Sequence, residues 1–239
     1  MNIKLTIKLF LIFTIIGLQA CVKKDPVSTL AQVLLVPLSP NATAVDFSID
    51  NNIVATGVGY STTTGTIRYT LPYYSIVPKG ATTIAYKANG FEVVRAAITK
   101  DMKDEDVYST FLIDSAAKAR AVIVVDNLNE PNPGKVKIRF FNFAPNAPAL
   151  DVTIMGATTK LFTARAFNDQ DSNKDLQAFI EIDPGTYTFV FTNATTGAMV
   201  YTTNAQVLLV DRIYTLAARG FVGGIGTQAI GAWVYPNKP

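Results

Sequence analysis

Apolar and polar positions alternate along this chain in short runs. Val136, Ile138 and Phe140 are interleaved with Lys137 and Arg139, and Leu150, Val152 and Ile154 with Asp151 and Thr153. A period of two sends successive side chains to opposite faces of a strand, so each run predicts a strand with one face inward. Between the two runs, Pro145-Asn146-Ala147-Pro148-Ala149 reads as a tight bend. Proline fixes its own φ, asparagine tolerates turn conformations, and the alanines leave room for close chain approach. The same phrase stands 105 residues earlier as Pro40-Asn41-Ala42-Thr43-Ala44, followed by Val45, Phe47 and Ile49 alternating with Asp46, Ser48 and Asp50. Gly80 and Gly185 keep that spacing, and Tyr108 and Tyr214 depart from it by one residue, so the chain is a tandem repeat. The run entering the first bend, Val33-Leu34-Leu35-Val36, is apolar on both faces and predicts a more deeply covered strand.

The pattern predicts strands at 32–38, 44–50, 53–58, 67–77 with a break at Pro72, 82–88, 92–98, 107–113 and 119–125 in the first copy. In the second it predicts 135–143, 149–155, 160–163, 176–182, 186–192, 198–203, 212–218 and 228–235. Helix signals are nearly absent, while Val, Ile, Thr, Tyr and Phe are plentiful and Gly and Pro punctuate short runs. The expected fold is all-β: two tandem antiparallel β-sandwich domains at 31–126 and 135–239. Residues 127–134, rich in Asn and Pro, are the expected linker.

The first twenty residues read as an export signal. Lys4 and Lys8 precede the apolar run Leu9–Ile16, which is too short to span a bilayer. The segment ends in Leu18-Gln19-Ala20-Cys21, which resembles the lipobox of bacterial lipoproteins and implies acylation of the Cys21 sulfur, with residues 21–30 as a lipidated tether. Cys21 is the single cysteine, so no disulfide forms within the chain. Val22 stands where inner-membrane retention signals often carry Asp, which implies the outer membrane, and Lys23-Lys24-Asp25 resembles the charged surface-export tags of Bacteroidetes lipoproteins. Removing Lys4 and Lys8 leaves 19 basic against 18 acidic residues, and no basic cluster with interleaved aromatics, so nucleic acid is not an expected partner.

Histidine is absent from the sequence, and with it Ser-His-Asp and Cys-His nucleophiles and His-containing zinc sites. A paired-carboxylate glycosidase needs only two acids at a set spacing, yet small sandwiches without a cleft-forming insertion seldom host one, and no catalytic residue is expected. Asp46 and Asp151 read as carboxylates capping backbone N–H groups, with an acid or ligand role as the alternative. Gly57–Gly65 shares only composition with phosphate loops, because strand follows it where a helix would be needed. Asp101–Asp106 is an acidic loop interrupted by lysine. The sharpest signal is Asp169, Asp171, Asn173 and Asp175, whose oxygens at alternate positions suit calcium, although Lys174 replaces the loop glycine and Ile180 the bidentate Glu. Tyr69, Tyr73 and Tyr74, with Trp233, could stack on sugars; packing in a core is the competing role.

Val136–Val152, with Pro184-Gly185-Thr186-Tyr187 and Tyr214-Thr215-Leu216, resembles the bacterial domain-of-unknown-function 4397 family, over most of residues 31–239 and more specifically in the second copy. The resemblance implies an immunoglobulin-like sandwich in exported, lipid-anchored proteins, without an established activity. The expected role is a non-catalytic outer-membrane or cell-surface lipoprotein that engages a protein partner, using edge strands or the groove between the domains. A glycan-binding accessory lipoprotein and a fimbrial-type structural subunit are the alternatives.

Overall fold

The computed structural model describes residues 30–60 and 74–238. Eighteen strands follow the alternation. In the first copy they are β1 (Ala31–Pro37), β2 (Val45–Ile49), β3 (Asn52–Val58), β4 (Ser75–Val77), β5 (Gly80–Ala88), β6 (Val94–Met102), β7 (Val107–Ile113) and β8 (Arg120–Val125). In the second they are β9 (Val136–Asn142), β10 (Leu150–Ile154), β11 (Lys160–Arg165), β12 (Ile180–Ile182), β13 (Gly185–Tyr187), β14 (Phe189–Asn193), β15 (Met199–Thr202), β16 (Gln206–Leu208), β17 (Ile213–Arg219) and β18 (Gly231–Lys238).

The copies build matching sheets: β4-β1-β7-β8 with β3-β2-β5-β6, and β12-β9-β17-β18 with β11-β10-β14-β15. Registers match as well. Val45 opposes Ala88 and Leu150 opposes Asn193, while Gln32 opposes Val107 and Lys137 opposes Ile213. The fold is all-β as expected, but one strand pair per copy, β1 with β7 and β9 with β17, is parallel within otherwise antiparallel sheets. Of the expected strand 67–77, residues 67–73 lie outside the described residues; β16 has no expected counterpart, and two expected strands differ. The segment 176–182 contracts to β12, because Lys174–Gln177 forms a 3-10 turn. The run 186–192 breaks at Thr188, where the Thr203 hydroxyl takes the Phe189 N–H (2.9 Å) and splits the ladder into β13–β16 and β14–β15.

Burial shows how the sheets stack. Val33 and Leu35 enter a core with Phe47, Ile84 and Tyr86 of the opposing sheet of the same copy, whereas Leu34, Val36 and Leu38 point the other way. On that other side they meet Phe111, Phe141, Phe143, Trp233 and Tyr235. Ile138, Phe140, Leu216 and Ala218 face a third core with Phe162, Phe189 and Phe191. Four sheets are therefore layered outer, inner, inner, outer, and both inner sheets are covered on both faces. The doubly apolar run of β1 takes the covered position that its pattern predicts. For β9 the single inward face does not hold: Arg139 is completely buried, because the face it shares with Phe141 is covered by the first copy.

That guanidinium is compensated in place. Arg139 Nη2 donates to Asp126 Oδ1 (2.5 Å), Nε to Thr215 Oγ1 (2.8 Å), and the cation lies 4.7 and 4.4 Å from the Phe141 and Phe179 ring centres. Asp126 also accepts from Ser109 (2.6 Å) and Tyr74 (2.5 Å), and Thr215 donates to Asn237 (2.6 Å). Burial works against the Arg139 charge, but Asp126 outweighs it and the guanidinium holds its proton more tightly than usual. Burial pushes the Tyr235 hydroxyl beside this cluster up to about 12.

The repeated phrase acts as a pair of latches. Asn41 Oδ1 accepts the Ala116 N–H (2.7 Å), and Asn146 Oδ1 the Val222 N–H (2.8 Å), each tying the bend to the loop after the parallel strand. Asp46 accepts from Gly57 N (2.8 Å), Asn89 Nδ2 (2.7 Å) and Gly90 N (2.9 Å); Asp151 accepts from Ala164 N (2.8 Å) and pairs with Lys160 (2.6 Å). These carboxylates cap N–H groups that a β-bulge leaves out of the ladder, and the capped residue has positive φ in both copies, 65° at Gly57 and 50° at Ala164. The Tyr108 and Tyr214 hydroxyls each accept a backbone N–H five residues upstream, from Lys103 (3.3 Å) and Leu209 (3.1 Å), the tyrosine corner of Greek-key sandwiches.

The Gly90 N–H bond is the largest influence holding the Asp46 carboxyl below 3.8, with Asn89 and Gly57 adding to it. At Asp151 burial acts upward, and the Lys160 and Ala164 bonds outweigh it. A folded pKa below the unfolded one contributes stability above the unfolded value, lost as pH falls through the folded one. Urea midpoints measured below pH 4 should therefore fall with pH, and the fall should be shallower in Asp46→Asn. Ala164→Gly should raise stability by roughly 0.5–1 kcal/mol, since a left-handed alanine is strained where glycine is not. Arg139→Leu leaves Asp126 buried and unpaired and should lose about 3–5 kcal/mol in the same denaturation. Adding Asp126→Asn, the residue that Asn237 supplies at the matching position of β18, should recover most of it.

Candidate functional site

A groove follows the seam where the two copies meet. Its floor is the end of β8, where Val124 turns into the shared core, Val125 turns outward at 45% exposed, and Asp126 turns inward again. One opening, of about 370 Å³, is lined by Val125 and Asn127 of the first copy and by Lys137, Lys174, Asp175, Gln177 and Phe179 of the second. A second, of about 380 Å³, continues over Lys100, Tyr108 and Ile123 to Asp171 and Lys174. Both copies contribute to both openings. The second-copy wall is a short helical segment, α1 (Asp169–Ser172) followed by the turn Lys174–Gln177.

Local bonds hold the wall. Arg165 grips Asp169 through Nε and Nη2 (2.9 Å each), and Arg165 Nη2 also reaches the Leu176 carbonyl (3.2 Å). Lys174 Nζ donates to the Asp171 carbonyl (2.7 Å), Gln177 Nε2 to the Gln170 carbonyl (2.9 Å), and Lys137 Nζ to the Asn129 carbonyl (2.8 Å). One face of Phe179 rests on Arg139 while the ring lines the groove. The chemistry on offer is mixed: lysines, the carboxylates of Asp171 and Asp175, amides, the apolar Val125 and Ile123, and the rings of Tyr108 and Phe179.

The expected calcium loop is not formed. Alternate positions share a side only in extended chain, and Asp169–Ser172 is a helical turn, so the carboxylates of Asp169 and Asp171 diverge. Asp169 is taken by Arg165 and the Ala166 N–H (3.0 Å), Asp171 faces Lys174 (3.4 Å), and Asn173 caps the Asp175 N–H (3.1 Å). Among the described residues no group of three or more His, Cys, Asp or Glu could hold a metal ion. In the loop 101–106, Asp104 pairs with Lys79 (3.2 Å) and Asp106 accepts the Tyr108 hydroxyl (2.8 Å).

Tyr74 and Trp233 do not make an exposed sugar platform. Trp233 is 5% exposed and stacks on Tyr235 (4.3 Å) in the shared core, and Tyr74 packs against that core with its hydroxyl on Asp126. The apolar seam outcompetes solvent for both rings. Tyr69, Tyr73, Cys21 and most of Gly57–Gly65 lie outside the described residues. Among those residues no helix is long and apolar enough to cross a membrane. Val125 and Phe179 were not legible as site residues, since each stands in an ordinary alternating run. The one available signal was the difference between the copies, Arg139 standing where the first has Leu34.

No curated protein matches this sequence. Among solved structures the chain is similar to the crystal structure of CBMbc, of family CBM26, from Eubacterium rectale Amy13K in complex with maltoheptaose. That match has 12% identity over 88% of this chain and 98% of the other, with a TM-score of 0.25, an overlap too slight to carry an argument. The family's sequence model matches residues 31–153, the whole first copy and β9 into β10, a shorter span than the motifs imply and one centred on the first copy. The chain belongs to the family described as Domain of unknown function (DUF4397).

Proposed function

We propose that this protein is a non-catalytic, lipid-anchored module of the outer membrane or cell surface that binds a protein partner along the groove between its two copies. The observation that carries this reading is the composition of the groove: its walls come from both halves, which a shared core and the Arg139–Asp126 pair hold together. A surface made this way is pre-organised, which limits the ordering entropy lost on binding. Exposed Val125, at the junction of the openings and bordered by Lys137, Lys174, Asp171, Asp175 and amides, suits a partner segment with an apolar side chain flanked by polar groups. The tether supports the anchoring. Ala31, the start of β1, is ten residues on from Cys21, so it stands within about 35 Å of an acylated Cys21.

One observation favours a second reading, a glycan ligand. Phe179 presents a ring backed by Arg139 and bordered by Asn127, Asp175 and Gln177, an aromatic face with hydrogen-bonding neighbours.

A photo-crosslinking residue at position 125, in the protein expressed in its own envelope, should give one discrete protein adduct. The same residue at exposed position 207 should give none. Equal labelling at both positions, or none at 125, rejects the partner reading; retardation in polysaccharide affinity gels that Phe179→Ala abolishes would establish the glycan one. Cys21→Ser should move the protein from the membrane to the soluble fraction.

A further inference from the structure

Among the described residues three arginines are buried, Arg139, Arg165 and Arg219. The first two have carboxylates, Asp126 at 2.5 Å and Asp169 at 2.9 Å. Arg219 has none: no described Asp or Glu lies within 4 Å of its guanidinium, and residues 61–73, which follow its neighbour Tyr60, contain no acid in their sequence. Arg219 is only 4% exposed, and a buried cation without a counter-charge is costly.

The fold does not need a cation there. Arg219 ends β17 opposite Gly231, and the matching residue ending β7, opposite Arg120, is Ile113, fully buried in the shared core. An aliphatic side chain fills the equivalent place in the same sheet. Opposite Arg219, Gly231 lets the guanidinium lie against the strand: a Cβ there would stand 3.6 Å from the guanidinium carbon.

Orientation narrows the chemistry. Nη1 donates to the Tyr60 hydroxyl (2.7 Å), and the cation stands 5.1 Å from the centre of the Tyr60 ring, so one edge of the fork is engaged. Nε is buried without an acceptor. Among the described residues the edge formed by Nε and Nη2 has no acceptor, and it is the same edge through which Arg165 holds the two oxygens of Asp169. Two parallel N–H donors at that spacing match the two oxygens of a carboxylate.

We propose that Arg219, braced by Tyr60 from the other copy, is a receptor for the carboxylate of a small exogenous ligand. The site lies at the opposite end of β17 from Lys137 and the groove, six residues or about 20 Å along the strand, and is independent of the partner surface. Because the brace and the cation come from different halves, carboxylate binding also clamps the seam.

The test is a titration of the mature full-length protein in detergent, at constant ionic strength, with D-glucuronate and with N-acetylglycine. Glucose and N-acetylglycinamide serve as neutral counterparts. At least one acid should raise the melting temperature saturably and its neutral counterpart should not; the tighter of the two tells whether the carboxylate is a sugar acid's or a peptide end's. Arg219→Lys, which keeps the charge and loses the bidentate edge, should weaken binding at least tenfold. Arg219→Leu should abolish it without lowering the ligand-free melting temperature, as a purely structural arginine would. In the unaltered protein the Arg219 Nε–H resonance should shift along the same titration, a readout independent of how the variants fold. An unmoved Nε–H signal with both acids, or an equal stabilisation of Arg219→Leu, overturns the proposal.

Discussion

Both inner sheets of this protein are apolar on both faces, and the second face of each can leave water only against the other copy. Leu34, Val36, Phe111 and Ile113 on one side meet Phe141, Phe143, Trp233 and Tyr235 on the other, with Phe111 and Phe143 ring centres 4.8 Å apart. Burial of apolar area is non-directional and would allow the sheets to slide. The polar cluster inside the seam supplies the direction, because Arg139, Asp126, Thr215 and Asn237 satisfy one another in a single register.

The two copies approach that seam with equivalent faces. Ser109 on Asp126 in the first copy and Thr215 on Asn237 in the second are the same hydroxyl-to-side-chain bond at matching positions, and the two meet where Asn237 reaches Asp126 (3.4 Å). A joint of this kind resembles a two-fold interface between identical subunits made permanent in one chain. Specificity enters where the copies differ. Leu34 has become Arg139 against Asp126, and Ile113 has become Arg219 beside Tyr60. The shared features, the Asn41 and Asn146 latches, the Asp46 and Asp151 bulge caps and the Tyr108 and Tyr214 corners, maintain each sandwich. The buried cations Arg139 and Arg219 stand at positions the copies do not share.

The reading of Asp169, Asp171, Asn173 and Asp175 as a calcium loop shows where spacing misleads. Alternation presents ligands on one side of an extended loop, and a helical turn rotates successive residues by about 100°. Arg165, four residues before Asp169, captured that carboxylate and helped to choose the helical turn. The aromatic residues tell the same story from the apolar side: Tyr74 and Trp233 carry surface-capable chemistry, and the seam claimed them.

Local patterning determined the strands, the bends, the repeat and its register, and the all-β class, because a period of two and the turn residues act over a few neighbours and are written in order along the chain. The sequence also marked Asp46 and Asp151 as caps of backbone N–H groups, but their partners Gly57, Gly90 and Ala164, 11, 44 and 13 residues away, were supplied by the tertiary fold. Only the tertiary structure decided that Arg139 is buried, that Arg219 lacks a counter-charge among the described residues, and that Val125 and Phe179 line one groove. Those facts depend on which sheet covers which, and a strand's alternation is the same whether its second face meets water or another sheet.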